Sequence, residues 1–284
     1  MELNQIITLA SKSVEPLFHM MERSLRATGC DLPLRVIPFS ESRFDLPENS
    51  EWWEVPEFLN WIDHAGSRPV MRKYQVLLAS NFHFVDTDVI FLRDPREVLA
   101  KHSGWINSCS HWQKPGDTLT VEFENYLRQK SSVWQWQIFN TGQFACDRQL
   151  YDVASLKAAS ESPELRATVL ENPFHEQPGI NFLVHKSGVP ITNLTLPPHV
   201  MESTWAGDYP DADFRSTWRT PETTPYLIHW AGRKIDGSNP IDELALGYLN
   251  DDERKAWLTV AQQRNRTPLI NRIRWAWRAA KEAF

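Results

Sequence analysis

The feature that most constrains this chain is an apolar run with two carboxylates in it. Phe82-His83-Phe84-Val85-Asp86-Thr87-Asp88-Val89-Ile90-Phe91-Leu92 otherwise reads as a buried strand. Two charges at the end of such a strand are costly to bury without a partner. A divalent cation is the natural partner, because carboxylate oxygens suit Mg²⁺ or Mn²⁺, and such an ion can hold a diphosphate. The spelling alone proves little. With 16 Asp in 284 residues an Asp-x-Asp can arise by chance, and a second one stands at Asp211-Ala212-Asp213. That copy lies among turn formers with no apolar run before it, so a solvated loop is expected there.

The run sits in an α/β pattern. Residues 6–10 read as a first buried strand and 34–39 as a second. Between them, residues 14–28 carry Leu17, Met20, Met21, Ser24 and Leu25 at helical spacing, with Gly29 as C-cap. A strand–helix–strand opening predicts a parallel sheet. Further on, 70–78 predicts a helix carrying Arg72 and Lys73, and 95–100 a short helix once Asp94-Pro95 has broken the run. Strands are expected over 104–109 and 138–145, a helix over 163–170, a helix or turn over 179–184, a short strand over 226–230 and helices over 241–284.

Composition narrows the function classes. A formal net charge of −6 argues against a general nucleic-acid binder, and 42% hydrophobic residues are enough for a real core. Cys30, Cys109 and Cys146 are odd in number and far apart, with no Cys-x-x-Cys, which reads as reduced thiols in a cytoplasmic protein. The first residues lack a basic n-region and a long apolar h-region, so no signal peptide is expected. No apolar run approaches the length of a transmembrane helix. Trp is frequent, at 13. Trp52, Trp53, Trp112, Trp134 and Trp136 could stack on an acceptor sugar or pack against the C-terminal helices. Trp134 and Trp136 share a face if their segment is extended.

Four segments follow one another in order: Val85-Asp86-Thr87-Asp88, Phe139-Asn140-Thr141-Gly142 ending a strand, Glu176-Gln177-Pro178-Gly179-Ile180-Asn181, and Ile228-His229-Trp230-Ala231-Gly232-Arg233-Lys234. Together they resemble the nucleotide-sugar-dependent glycosyltransferases of the GT-A fold, with most likeness to the retaining family 8 group of glycogenin and galactosyltransferase-like enzymes. The likeness spans roughly residues 5–235. Two departures stand out: Glu176 replaces the usual Asp, and Lys234 follows Gly232 one residue early.

The resemblance implies a Rossmann-like, mostly parallel sheet flanked by helices, with a catalytic domain over 1–240 and a helical extension over 241–284. It implies a metal-dependent hexosyltransferase. The donor would be a nucleoside diphosphate sugar, UDP favoured, and the acceptor a hydroxyl on a glycan or lipid-linked sugar, with the configuration retained by front-face displacement. Asp86, Asp88 and His229 would hold Mn²⁺ or Mg²⁺, the imidazole favouring Mn²⁺. Asp86 would reach the metal, the ribose or both. Thr8, Ala10, Ser11, Lys73 and Thr87 would line the nucleotide site, and Asn140, Thr141 and Gly142 the sugar or acceptor. Gly232 and Arg233 would border the diphosphate, and Lys234 or Arg233 would stabilise the leaving group. Gln177 and Asn181 would face the donor sugar, with Glu176 the fallback nucleophile. A sugar nucleotidyltransferase is the second enzyme reading, but Ala10-Ser11-Lys12-Ser13 lacks the glycine-rich loop such enzymes carry after the first strand. A non-catalytic sugar-binding protein on the same fold is the third.

The tail is basic within an acidic chain. Leu269, Ile273, Trp277, Ala280 and Phe284 form a helical stripe beside Arg272, Arg274, Arg278 and Lys281. Over 268–284 this fits either a helix docked on the catalytic domain or a peripheral helix on the inner face of a membrane.

Overall fold

The computed structural model describes residues 1–172 and 175–266. A seven-stranded sheet forms its centre, in the order β3-β2-β1-β4-β7-β6-β8. The strands are β1 (Gln5–Ala10), β2 (Leu34–Pro38), β3 (Ser50–Trp52), β4 (Phe82–Val85), β6 (Trp105–Asn107), β7 (Gln143–Cys146) and β8 (Ile191–Asn193). Only β7 runs against its neighbours; β1 pairs in parallel with both β2 and β4, and β6 with β8. A separate ribbon pairs β5 (Val89–Phe91) with β9 (Leu227–His229), antiparallel.

The central strands are buried on both faces, which is why they read as continuous apolar runs. Along β1, Ile7 and Leu9 enter one core, with Phe58, Tyr74, Phe82 and Phe84, while Ile6 and Ala10 enter the other, with Phe18, Met21 and Leu25 of the Glu15–Ala27 helix. The ribbon obeys the same period of two. Val89, Phe91 and Leu227 join the second core, whereas Ile90 and Ile228 join a third with Met20, Trp230, Ile241 and Leu246.

Two expectations need correction. The 82–92 run is not one strand. It splits at the two carboxylates, β4 staying in the large sheet and β5 leaving for the ribbon, since charges cannot continue a fully buried ladder. Residues 138–142 are not strand, and the Phe139–Gly142 motif precedes β7 rather than ending a strand. The helix expected over 70–78 is present as a 3-10 helix over Pro69–Leu78, and the helix or turn expected over 179–184 lies inside an 11-residue α-helix, Gln177–Ser187. Asp211 and Asp213 are exposed in a turn, as anticipated.

Beyond residue 240, described residues pack onto the sheet assembly. Arg23 pairs with Glu253 at 2.6 Å, and Trp257 Nε1 donates to Ile235 O at 2.6 Å. No helix among the described residues is long and apolar enough to cross a membrane. The amphipathic stripe of 268–284 lies outside the described residues. All three cysteines are buried and free.

Candidate functional site

The corner between the two sheets builds the site. Asp86 N donates to Gly142 O at 2.8 Å, and Asp88 O accepts from Trp230 N at 3.0 Å. The β5–β9 register sets Val89 opposite His229. That pairing carries a histidine 141 positions away onto the carboxylate pair, so that His229 Nε2 lies 3.2 Å from Asp88 Oδ1. Asp86, Asp88 and His229 each offer one ligand atom, all within 4.8 Å of one another. Adjacent ligands at an octahedral 2.0–2.1 Å from an ion stand about 3 Å apart, so the Asp88–His229 spacing suits two neighbouring positions. Two carboxylates with an imidazole fit Mn²⁺ better than the harder Mg²⁺.

Gly142 makes this approach feasible. A Cβ there would lie 2.6 Å from His229 Nε2, closer still to Cε1, and 2.8 Å from Asn140 Oδ1. The imidazole therefore rests where any other side chain would begin. The turn after His229 needs its own glycine. Arg233 N donates to Trp230 O at 2.6 Å, and Gly232 holds φ +70 at the third position, as a type II turn requires.

Lys73 ties the site together from below. Its side chain is 4% exposed, and the ammonium sits 2.9 Å from Asp86 Oδ1 and 2.6 Å from Glu176 Oε1 and donates to Thr141 O at 3.3 Å. Burial alone would lower its pKa, but the two carboxylates outweigh this and raise it. Burial opposes ionisation of Glu176 too, yet Lys73 and the Thr141 hydroxyl hold its pKa below the usual range. Asp86 is pushed up, by burial first and then by Asp88 and Glu176, against the pull of Lys73 and His229. Asp88 goes the other way: its bond to His229 overcomes burial and lowers it, and the same contact raises His229. Such a crowded cluster, with acid and base pushed apart, is the kind of setting in which functional groups are found.

One wall of the cleft is irregular backbone held by side-chain amides. Asn181 Nδ2 donates to Phe139 O at 2.8 Å and to Gln177 O at 3.0 Å, while its Oδ1 accepts from Phe139 N at 3.1 Å. Gln177 Oε1 accepts from Asn140 Nδ2 at 2.9 Å and from Thr141 N at 3.1 Å. These bonds replace the missing strand partner. Asn181 was expected to face the donor sugar. It is instead fully buried, its amide spent on the backbone, so it positions the wall without lining it.

The resulting cleft has a volume of about 310 Å³. Asp86, Asp88, Asn140, Thr141, Gly142, Glu176, Gln177, His229 and Gly232 line it, so all four sequence segments meet there. Arg233 and Lys234 are exposed and line an adjoining cavity with Asp88. Thr87 is buried at the corner. Thr8, Ala10 and Ser11 are buried at the carboxyl end of β1, beside β4, and do not line the cleft; Thr8 Oγ1 has no hydrogen-bond partner among the described residues.

The five candidate stacking tryptophans do not line the cleft or the cavities beside it. Trp134–Gln137 is a 3-10 helix, so Trp134 is buried while Trp136 is exposed, and the shared face is lost. Trp52 packs edge-on against Phe44, and Trp112 Nε1 donates to Thr195 at 3.3 Å. The sequence reading missed His175 and Ala231 on the cleft, and Trp205 beside it. His175 had a usable signal, since it directly precedes Glu176-Gln177. Trp205 reaches the site through a β-bridge to His229, a non-local pairing with no local signal.

Neither a protein-family model nor a curated protein matches the chain. Solved structures do. A bifunctional glycosyltransferase WbbM, in its apo form, superposes with a TM-score of 0.57 at 12% identity over 88% of this chain and 50% of its own. The galactosyltransferase LgtC, in complex with donor and acceptor sugar analogs, superposes with a TM-score of 0.51 at 13% identity over 89% of this chain and 96% of its own. The chain thus spans half the length of the WbbM structure. At such identities the likeness is one of fold, and the fold is that of the GT-A glycosyltransferases.

Proposed function

We propose that the protein is a metal-dependent hexosyltransferase. It takes a nucleoside diphosphate sugar, UDP favoured, and delivers the hexose with retention to a hydroxyl of a glycan or lipid-linked sugar. The observation that carries this reading is the gathering of Asp86, Asp88 and His229 ligand atoms within 4.8 Å, in an open cleft on a GT-A fold. When bound, a divalent ion would neutralise the charge that develops on the departing diphosphate. Arg233 and Lys234, exposed on the turn after His229, supply further positive charge for the diphosphate.

Gln177 and Asn140 form the sugar-side wall, each already oriented by the other. Their rigidity is what positioning a donor requires. Glu176 is a poor nucleophile here. It is buried, engaged by Lys73 and Thr141, and its lowered pKa marks reduced basicity. A double displacement would first have to break both contacts. Same-face displacement, with the acceptor attacking beside the leaving diphosphate, needs no such rearrangement.

The test is thermal stabilisation by a panel of nucleoside diphosphates with and without MnCl₂. UDP with Mn²⁺ is expected to stabilise by about 2.7 kcal/mol at a hundredfold excess over Kd. Asp88→Ala should abolish the effect and His229→Ala should weaken it. If no diphosphate stabilises the protein in a metal-dependent way, the proposal fails.

A further inference from the structure

A cavity of about 270 Å³ opens beside the cleft and shares Asn140 and His229 with it. Trp205 lines it, with an indole that is 38% exposed and still rigidly held. Trp205 is bridged to His229 by backbone pairing, and its Nε1 donates to Ala231 O at 3.0 Å. The ring lies so close over Gly207 that a Cβ there would come within 2.5 Å of Cζ2 and 2.6 Å of Cζ3. The Arg233 guanidinium stands 5.8 Å from the ring centre, at the edge of the cation–π range. Such fixation does not serve a core, since the indole remains open to solvent. It pre-forms a flat apolar surface beside the reacting centre. The rest of the lining includes the polar side chains of Gln113, Lys114 and Asn140. The volume lies just below the roughly 300–1,000 Å³ of sites for drug-sized ligands, so it suits a small ring system.

We propose that this cavity is the acceptor pocket and that Trp205 is its specificity-determining platform, stacking against one pyranose ring of a glycan acceptor. The proposal rests on the transferase reading above. A pyranose has an apolar face of C–H groups and a rim of hydroxyls, which matches a cavity lined by an indole together with amide and ammonium donors. The shared Asn140 and His229 set an acceptor hydroxyl in this pocket next to a sugar held in the cleft. The Arg233 contact couples the two regions, because the residue that leans on the platform belongs to the turn facing the diphosphate.

The test uses methyl hexopyranosides, lactose, maltose and cellobiose as probes. Saturation-transfer NMR reads their contact with the full chain in the presence of Mn²⁺ and UDP, and transfer assays with UDP-hexoses read KM and kcat. At least one probe is expected to bind. Trp205→Ala should raise its KM, or weaken its binding, about tenfold or more, and Trp205→Phe should restore most of the loss. Melting curves of both variants control for folding. A Trp205→Ala protein that folds and handles the sugars like wild type overturns the proposal, as does the absence of any Trp205-dependent sugar signal in the panel. Metal-dependent stabilisation by UDP, measured on wild type alone, reports separately on the donor reading. If that holds while the sugar signals fail, only the acceptor pocket is refuted.

Discussion

Gly142→Ala probes the corner with a single methyl group. The new Cβ would lie 2.6 Å from His229 Nε2, so reaching ordinary contact near 3.4 Å requires the ring to retreat by about 0.8 Å or more. Metal sites tolerate distance errors of only about 0.2 Å. Backbone relief is blocked, since Gly142 O accepts from Asp86 N at 2.8 Å and Gly142 N donates to Asn140 Oδ1 at 2.7 Å. The imidazole must therefore leave its present position beside Asp88. By the scale of ligand-orienting contacts, Mn²⁺ affinity should fall roughly 10–100-fold, with about 1–3 kcal/mol of overpacking cost in the metal-free protein. Calorimetric titration with MnCl₂ measures the first effect and urea unfolding the second. The decisive arm is His229→Ala combined with Gly142→Ala. Without the ring, the principal clash is gone, so the glycine substitution should cost little more than the milder contact with Asn140. Coupling of this size is expected only between residues in direct contact. Wild-type Mn²⁺ affinity in Gly142→Ala, or strict additivity in the double variant, would refute the reasoning.

Lys73→Met leaves Asp86 and Glu176 without their shared cation and should destabilise the fold by roughly 3–5 kcal/mol; adding Glu176→Gln should recover part of this in urea unfolding. Asn181→Ala strands the N–H and C=O of Phe139, so a loss of about 2–4 kcal/mol is expected, together with weaker donor binding as the Asn140 wall loosens. His83 is fully enclosed, and burial pushes its pKa down to about 3 from 6.5. The unfolded state therefore binds the extra proton first: stability is full above about pH 6.5 and is lost as pH falls toward 3. His185, lowered to about 4 by burial against the opposing Gln137 carbonyl bond, acts with the same sign. His83→Gln should flatten the fall in stability between pH 7 and pH 5 by about 2 kcal/mol, read from urea midpoints.

Local pattern was enough for the elements whose partners are near in sequence. The opening strand, helix and strand were legible because alternation and helical spacing are local. The Asp86–Asp88 corner was legible as chemistry but not as geometry. One apolar run became two strands in different sheets, because the charges that signalled a site also ended the ladder. Lys73 shows the same limit. The sequence singled it out as a basic residue before the carboxylates, yet its bridge from Asp86 to Glu176 depends on a 3-10 helix meeting a distant α-helix end. Asn181 was misread because its motif position says nothing of side-chain direction; three bonds to Phe139 and Gln177 turn it inward. Trp205 was one tryptophan among 13, and its bridge to His229 is a non-local pairing that the sequence does not mark.

The split of the apolar run has an energetic consequence for the metal. Asp86 directly follows β4 of the large sheet, whereas Asp88 directly precedes β5 and His229 ends β9 of the ribbon, whose register comprises three residue pairs. A two-stranded ribbon is marginal alone, and this one depends on packing between the second and third cores. An ion held by Asp86, Asp88 and His229 would cross-link ribbon to sheet. Its binding free energy should then appear first as slower local opening of the ribbon, with less effect on strands such as β2 that lie far from the corner. Hydrogen exchange with and without MnCl₂ reads this directly. Amides in the ribbon, including Ile90 and Ile228, should gain about tenfold or more in protection, and those of β2 should change little. Uniform protection across the sheet would mean that the ion stabilises only the global fold. No change in the ribbon would mean that Asp86 and the ribbon residues do not share a ligand, and the cross-link would have to be abandoned.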